Sequence, residues 1–181
     1  MKAERGFTLL ELLVAIAVAG IVTAIAIPGF RTIIITNRLS SAANEYIAAL
    51  TEAKMEAVKR NRPTLLCAAT GNPAPFDSAC AGAGTVVALT GSGATDVIRV
   101  KPPSYTALSV ANVKALRFSG QGLAREPGGT ALAAGLVAEI SSAQLSSKNR
   151  RCIYMAAGSV ISTCTVTGTS TCPSNEPTNC L

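Results

Sequence analysis

Residues 7–27 read FTLLELLVAIAVAGIVTAIAI, and no other segment restricts the possible folds so strongly. About 20 apolar residues rising about 1.5 Å each cover a bilayer core. The six residues before the run are short and polar, with Lys2 and Arg5. Positive charge on that side keeps the N-terminus cytoplasmic and sends the rest of the chain across. A secretory signal would have a shorter apolar region and a small-residue cleavage site after it. Here the run continues straight into a helical pattern. A plain anchor would explain the length but not Glu11, because a carboxylate inside such a run costs roughly 2.5–3.5 kcal/mol, less near the end. A residue that expensive needs a partner or a role.

Pro28 follows, which removes one helical hydrogen bond, and Gly29 adds freedom next to it. Beyond them the pattern turns amphipathic. Leu39, Ala43, Ile47, Leu50, Ala53, Ala57 and Val58 recur at spacings of three and four, with Tyr46 beside them. Arg38, Ser41, Glu45, Glu52 and Lys59 fall on other faces, and Glu56 and Arg60 form an i,i+4 pair in the favourable order. Pro63 marks the stop. The spacing predicts one helix from Phe7 to about Asn61, roughly 80 Å long.

From Thr64 the chain reads as short strands rich in Val, Ile, Leu and Thr, near 64–68, 85–90, 96–100, 107–110, 113–118, 136–140, 151–155 and 159–163. Gly, Pro, Asn and Ser clusters separate them. One antiparallel sheet with the amphipathic half of the helix on its apolar face gives an α+β layout. The chain divides into a leader at 1–6, an apolar helix at 7–28, an amphipathic half at 29–62, a β-rich domain at 63–164 and a tail at 165–181.

The composition excludes most catalysis. There is no His, hence neither the usual neutral-pH base nor the commonest metal ligand. The ten Asp and Glu are scattered, with no paired acid and base. No nucleophile–base pair appears, and no catalytic residue, cofactor or metal is expected. The six Cys, at 67, 80, 152, 164, 172 and 180, all follow the apolar run. In an exported chain they imply up to three disulfides, with fifteen connectivities open.

The hexapeptide Gly6-Phe7-Thr8-Leu9-Leu10-Glu11 resembles the class III signal of type IV pilins and type II secretion pseudopilins. The resemblance implies cleavage by a prepilin peptidase between Gly6 and Phe7, N-methylation of Phe7, and a pairing of Glu11 with the terminal amine of a neighbouring subunit. Pro28 matches the family's helix-interrupting proline. Asn37-Arg38-Leu39 and Ala53-Lys54-Met55-Glu56-Ala57-Val58-Lys59-Arg60 resemble the GspH/FimT branch, with Lys54 where Arg is usual. Leu65-Leu66-Cys67 with Cys80, Phe118-Ser119-Gly120-Gln121-Gly122, and Cys152 to Cys164 around Gly158 continue the likeness. A Trp usual after the first Cys pair is missing, and the tail is longer than the family leads one to expect.

This likeness implies a subunit held once through the inner membrane, with its domain in the periplasm, and then carried into an extracellular filament. Its partners would be other pilins, met through the N-terminal helix, and the peptidase. It implies a minor pilin that primes pilus assembly, with a role in natural transformation, or a GspH-like pseudopilin of type II secretion. A third reading is a pilus-borne DNA receptor. The family's G-R-x-R motif falls on Gly158-Ser159-Val160-Ile161, which lacks both Arg. The substitute is Lys148, Arg150 and Arg151, on a loop expected at the end distal to the membrane, where they would give weak, salt-sensitive binding. A hairpin turning at Gly158 would set Cys152 opposite Cys164. Sequential pairing, 67 with 80, 152 with 164 and 172 with 180, is the preferred arrangement, and an exchange between Cys164 and Cys172 stays open.

Overall fold

A computed structural model describes residues 7–168, 171–178 and 180. Helix α1 runs from Leu9 to Arg60, 52 residues or roughly 78 Å. Thr8 starts it. Its backbone is extended, and its side-chain oxygen accepts from the Glu11 N–H at 3.2 Å. The helical assignment continues through Pro28 without interruption. The helix ends at Asn61, which turns left-handed at φ 48°. Asn61 N–H donates to the Val58 carbonyl and Arg62 N–H to that of Ala57, so the last carbonyls are satisfied before Pro63.

Among the described residues, nine strands and one short 3-10 turn (Asp77–Ala79) follow. β1 (Thr64–Leu66), β2 (Val86–Leu89), β3 (Thr95–Arg99), β5 (Leu116–Phe118) and β6 (Ala124–Arg125) form one sheet, in the order β3-β2-β1-β5-β6. β4 (Ser109–Ala111), β7 (Gly135–Ser141), β8 (Arg150–Ala156) and β9 (Val160–Val166) form a second, in the order β4-β7-β8-β9. All pairings are antiparallel. The single sheet expected from the sequence is therefore two. β5 closes on β1 and the two-residue β6, while β7 turns to β4 and β8.

The second half of α1 lies across both sheets. Leu39, Ala42, Ala43, Tyr46, Ala49, Leu50, Ala53 and Ala57 form a buried stripe against Leu66, Val86, Leu116, Phe118, Val137, Ile140 and Ile153. The alanines let the helix backbone approach the strands closely. Val58, expected on this stripe, stays exposed, and Ile47 is only partly buried. Charged pairs fix the helix laterally. Arg99 of β3 bonds Glu45 and, at 3.1 Å, Glu52, which raises its guanidinium pKa. Hydrogen bonds from Arg60 and then Lys59 hold the Glu56 carboxyl below its ordinary range. That contribution is complete above the unfolded pKa and is lost as pH falls through the lower folded value.

Each sheet also buries its outer face, under a segment held by disulfides. On the first, Leu65, Val87 and Ala115 lie beneath Phe76 and the 68–80 loop, which Cys67–Cys80 closes. On the second, Leu136, Cys152, Tyr154 and Cys164 lie beneath the tail. The tail is tied down by Cys152–Cys172 and Cys164–Cys180. The Leu136 N–H donates to the Ser174 carbonyl and the Tyr154 hydroxyl to that of Pro173. The sequential pairing holds only for Cys67–Cys80. Cys152 and Cys164 do face each other in register across β8 and β9, but each is taken by a tail cysteine instead. The tail crosses their face, so its cysteines reach the sheet rather than each other.

At the far end of α1, the turn after β5 packs on the helix terminus. A Cβ on Gly120 would lie 2.4 Å from the Asn61 side-chain oxygen and 3.1 Å from the Asn61 backbone. Gly120→Ala is therefore expected to cost about 1–3 kcal/mol, read as a lower urea midpoint with an unchanged slope.

Candidate functional site: the free half of the helix and the basic end of the domain

The helix changes character at one residue. Leu9 is 82% exposed and Ile27 55%, and large apolar side chains stay exposed through Ile34. Ile35, at 8%, is the first to enter the core. About half of α1 thus projects from the domain as an apolar rod whose large side chains are exposed among the described residues. Its composition fits immersion in lipid or among other such helices. Thr23 and Thr36 return their hydroxyls to carbonyls of the preceding turn, so they leave no free donor on the rod.

Glu11 is the only acid on this rod. It sits in the first turn, where the helix dipole favours negative charge. The ion pairs among the described residues all lie in the globular part. The carboxylate is exposed, and among the described residues it forms no ion pair. Gly6 lies outside the described residues. Phe7, at 76% exposure, begins the described chain one residue before the cap.

The basic cluster departs from expectation in two ways. Arg150 is not a surface residue: it is 9% exposed and ion-paired with Glu139, itself 2% exposed. It shares the tail-side face of β8 with Cys152 and Tyr154, and its guanidinium is engaged there by Glu139 of β7. Glu139 also accepts from Asn112 Nδ2 at 3.0 Å and from the Cys172 N–H at 3.1 Å, which joins β7, β8, the loop after β4 and the tail. The sequence carries a sign of this hub, an acid inside the apolar strand GLVAEIS, but offers no indication of its partner.

The second departure is position. The β7–β8 turn lies at the membrane-facing end, not the distal one. Leu145 packs in the same core as Ile35, and Arg151 donates to Ser40 Oγ at 3.5 Å. The distal end is the other hairpin, where Lys54 Nζ donates to the Ser159 carbonyl at 3.3 Å. There Gly158 is pressed onto β6, and its absent Cβ would lie 2.5 Å from the Ala124 carbonyl. Lys148 is exposed. Arg151 is half-buried, and its hydrogen bonds among the described residues go to the carbonyls of Lys148 and Arg150 and to Ser40 Oγ. Burial pulls its guanidinium below its usual pKa.

Residues 1–27 match the prokaryotic N-terminal methylation motif, and residues 42–159 match the family described as type II transport protein GspH. Two fimbrial proteins of Pseudomonas aeruginosa are each 41% identical over 54 residues, covering 30% of this chain and 35% of theirs. A fimbrial protein of Moraxella nonliquefaciens is 34% identical over 77 residues, covering 42% of this chain and 47% of its own. The chain thus spans between a third and a half of the length of these curated relatives. No solved structure matches it.

Proposed function

Because this chain belongs to the GspH family and carries the N-terminal methylation motif of prepilins, we propose that it is a minor pilin that primes assembly of a type IV pilus. It is a pilin-like subunit, a minor pilin or a pseudopilin. The observation that carries the finer reading is the free apolar half of α1 with Glu11 as its lone acid. Before assembly that rod holds the subunit in the inner membrane, with the domain on the periplasmic side. A prepilin peptidase cuts between Gly6 and Phe7, and methylation follows on the Phe7 amine. The rod then packs against the helices of other pilins. A carboxylate removed from water is tolerated when a cation meets it, and cleavage creates one at the start of each subunit. Glu11 sets the axial register in this way. The task is mechanical, and no residue here is assigned to catalysis.

A DNA-receptor role through residues 148–151 is not favoured, since Arg150 is spent on Glu139 and the loop lies toward the membrane. The test is a deletion strain scored for surface pili, type II secretion and DNA uptake together. Loss of pili with secretion intact supports the reading. Lost secretion with normal piliation would assign the chain to a secretion pseudopilus.

A further inference from the structure

We propose that the end of the domain facing the rod is a lipid-docking surface: Arg31 and Arg38 of α1, with Lys148 and Arg151 at the β7–β8 turn, hold the phosphates of anionic phospholipid headgroups. This rests on the membrane-anchored reading above and extends it to the globular part.

Height is the first argument. Counted from Phe7, Arg31 lies about 36 Å along the helix, Ile35 about 42 Å and Arg38 about 46 Å. A bilayer with its headgroups is about 40–45 Å thick. A rod anchored at its cytoplasmic end by the Phe7 amine therefore brings Arg31 into the outer headgroup layer and Arg38 to its surface. The β7–β8 turn stands at the same level, through the hydrogen bond of Arg151 with Ser40 and the cleft that Gln144 shares with Ile35 and Arg38.

Charge is the second. Between Glu11 and Glu45 the helix carries only Arg31 and Arg38. Residues 142–149 contribute Lys148 and no acid, and β9 has no charged residue. Glu139, on the adjoining strand β7, is buried against Arg150. Among the described residues, the two clefts that these four cations line hold no carboxylate. These clefts shape the surface. One is lined by Arg31, Ile34, Ile35 and Arg38 with Gln144, the other by Lys148 and Arg151 with Thr165 and Thr167. The first has an apolar floor and basic walls, which suits the glycerol region below a phosphate. Arg151 is partly desolvated, and among the described residues it bonds neutral oxygens, so an anion satisfies it better than water does. Nucleic acid is a worse occupant, because the surface looks along the rod into the bilayer rather than away from it.

Each such cation adds about a fivefold factor to docking near an anionic surface. The domain would stand upright on the membrane until the subunit is extracted, and extraction would have to break these contacts.

The test reconstitutes the full chain in nanodiscs of phosphatidylcholine alone or mixed with phosphatidylglycerol and follows amide hydrogen exchange over residues 143–149. Slower exchange with phosphatidylglycerol only, relieved at 1 M salt where screening acts within about 3 Å, is the expected result. Arg38→Gln and Lys148→Gln should each reduce the protection about fivefold, and Arg62→Gln at the distal end should not. A chain that enters the discs and exchanges alike in both lipids overturns this inference alone. So does equal protection from inorganic phosphate in phosphatidylcholine discs, or an equal loss with Arg62→Gln. A chain that does not enter the discs overturns the anchor reading and this inference with it.

Discussion

Glu11→Leu is expected to leave the protein in the membrane and remove it from the filament. The substitution makes the rod more apolar, so the membrane pool should hold steady or rise, because a cost of up to roughly 2.5–3.5 kcal/mol for the carboxylate disappears. Assembly should respond in the opposite direction. In the proposed pairing, the terminal amine of the neighbouring subunit would then meet no carboxylate, and breaking a buried ion pair costs about 3–5 kcal/mol, on the order of a hundredfold or more in incorporation. Immunoblots of sheared filaments and of membranes, compared in one strain, separate the two effects. Glu11→Gln should behave like the Leu variant in the filament, since shape is kept and charge is lost. Incorporation unchanged in both variants would refute the pairing.

Arg150→Ala is expected to be the most damaging substitution inside the domain. It strands the Glu139 carboxylate, 2% exposed, without its cation. Removing one partner of a buried pair costs about 3–5 kcal/mol, a large share of a small domain's stability. The damage should spread to the tail, because Glu139 also holds the Cys172 N–H and Asn112. Changing both partners, Glu139→Leu with Arg150→Met, should recover much of the loss, since an apolar pair of similar volume leaves no stranded charge. Urea unfolding of the detergent-solubilised chain, followed by the fluorescence of the tyrosines, reads both variants. Arg150→Ala with a wild-type midpoint would show that the pair carries no stability.

Where a feature depends on neighbours in the sequence, the residues reveal it. The helix is visible in the unbroken apolar run and in the later spacing of three and four. Its end is visible near Pro63, although the left-handed Asn61 does the stopping. The strands fall close to their Val- and Ile-rich segments, except the two-residue β6, too short to carry a pattern. Sheet order is different. β1 lies between β2 and β5, and residues some fifty positions apart pair across it, as Leu65 does with Arg117. Nothing local to either strand encodes that choice. The basic loop shows the same limit. Lys148, Arg150 and Arg151 are adjacent in the chain, yet one is exposed, one buried and one half-covered, because strand alternation and a distant Glu139 decide it. Which end of the domain the loop occupies depends on the direction of β8 against α1, and that too is invisible in the loop's own residues.

The linkage of the tail to the second sheet sets the order in which this protein can mature. On the periplasmic route proposed above, Cys152 and Cys164 would emerge before Cys172 and Cys180, which lie nearer the C-terminus. They also stand opposite each other as soon as their hairpin forms. A bond formed between those two first would be non-native, and reaching the native pattern from it would take thiolate exchange with the tail cysteines. Cells with a thiol oxidant but no thiol–disulfide shuffling catalyst should accumulate this subunit with its C-terminus untethered, while the Cys67–Cys80 loop closes normally.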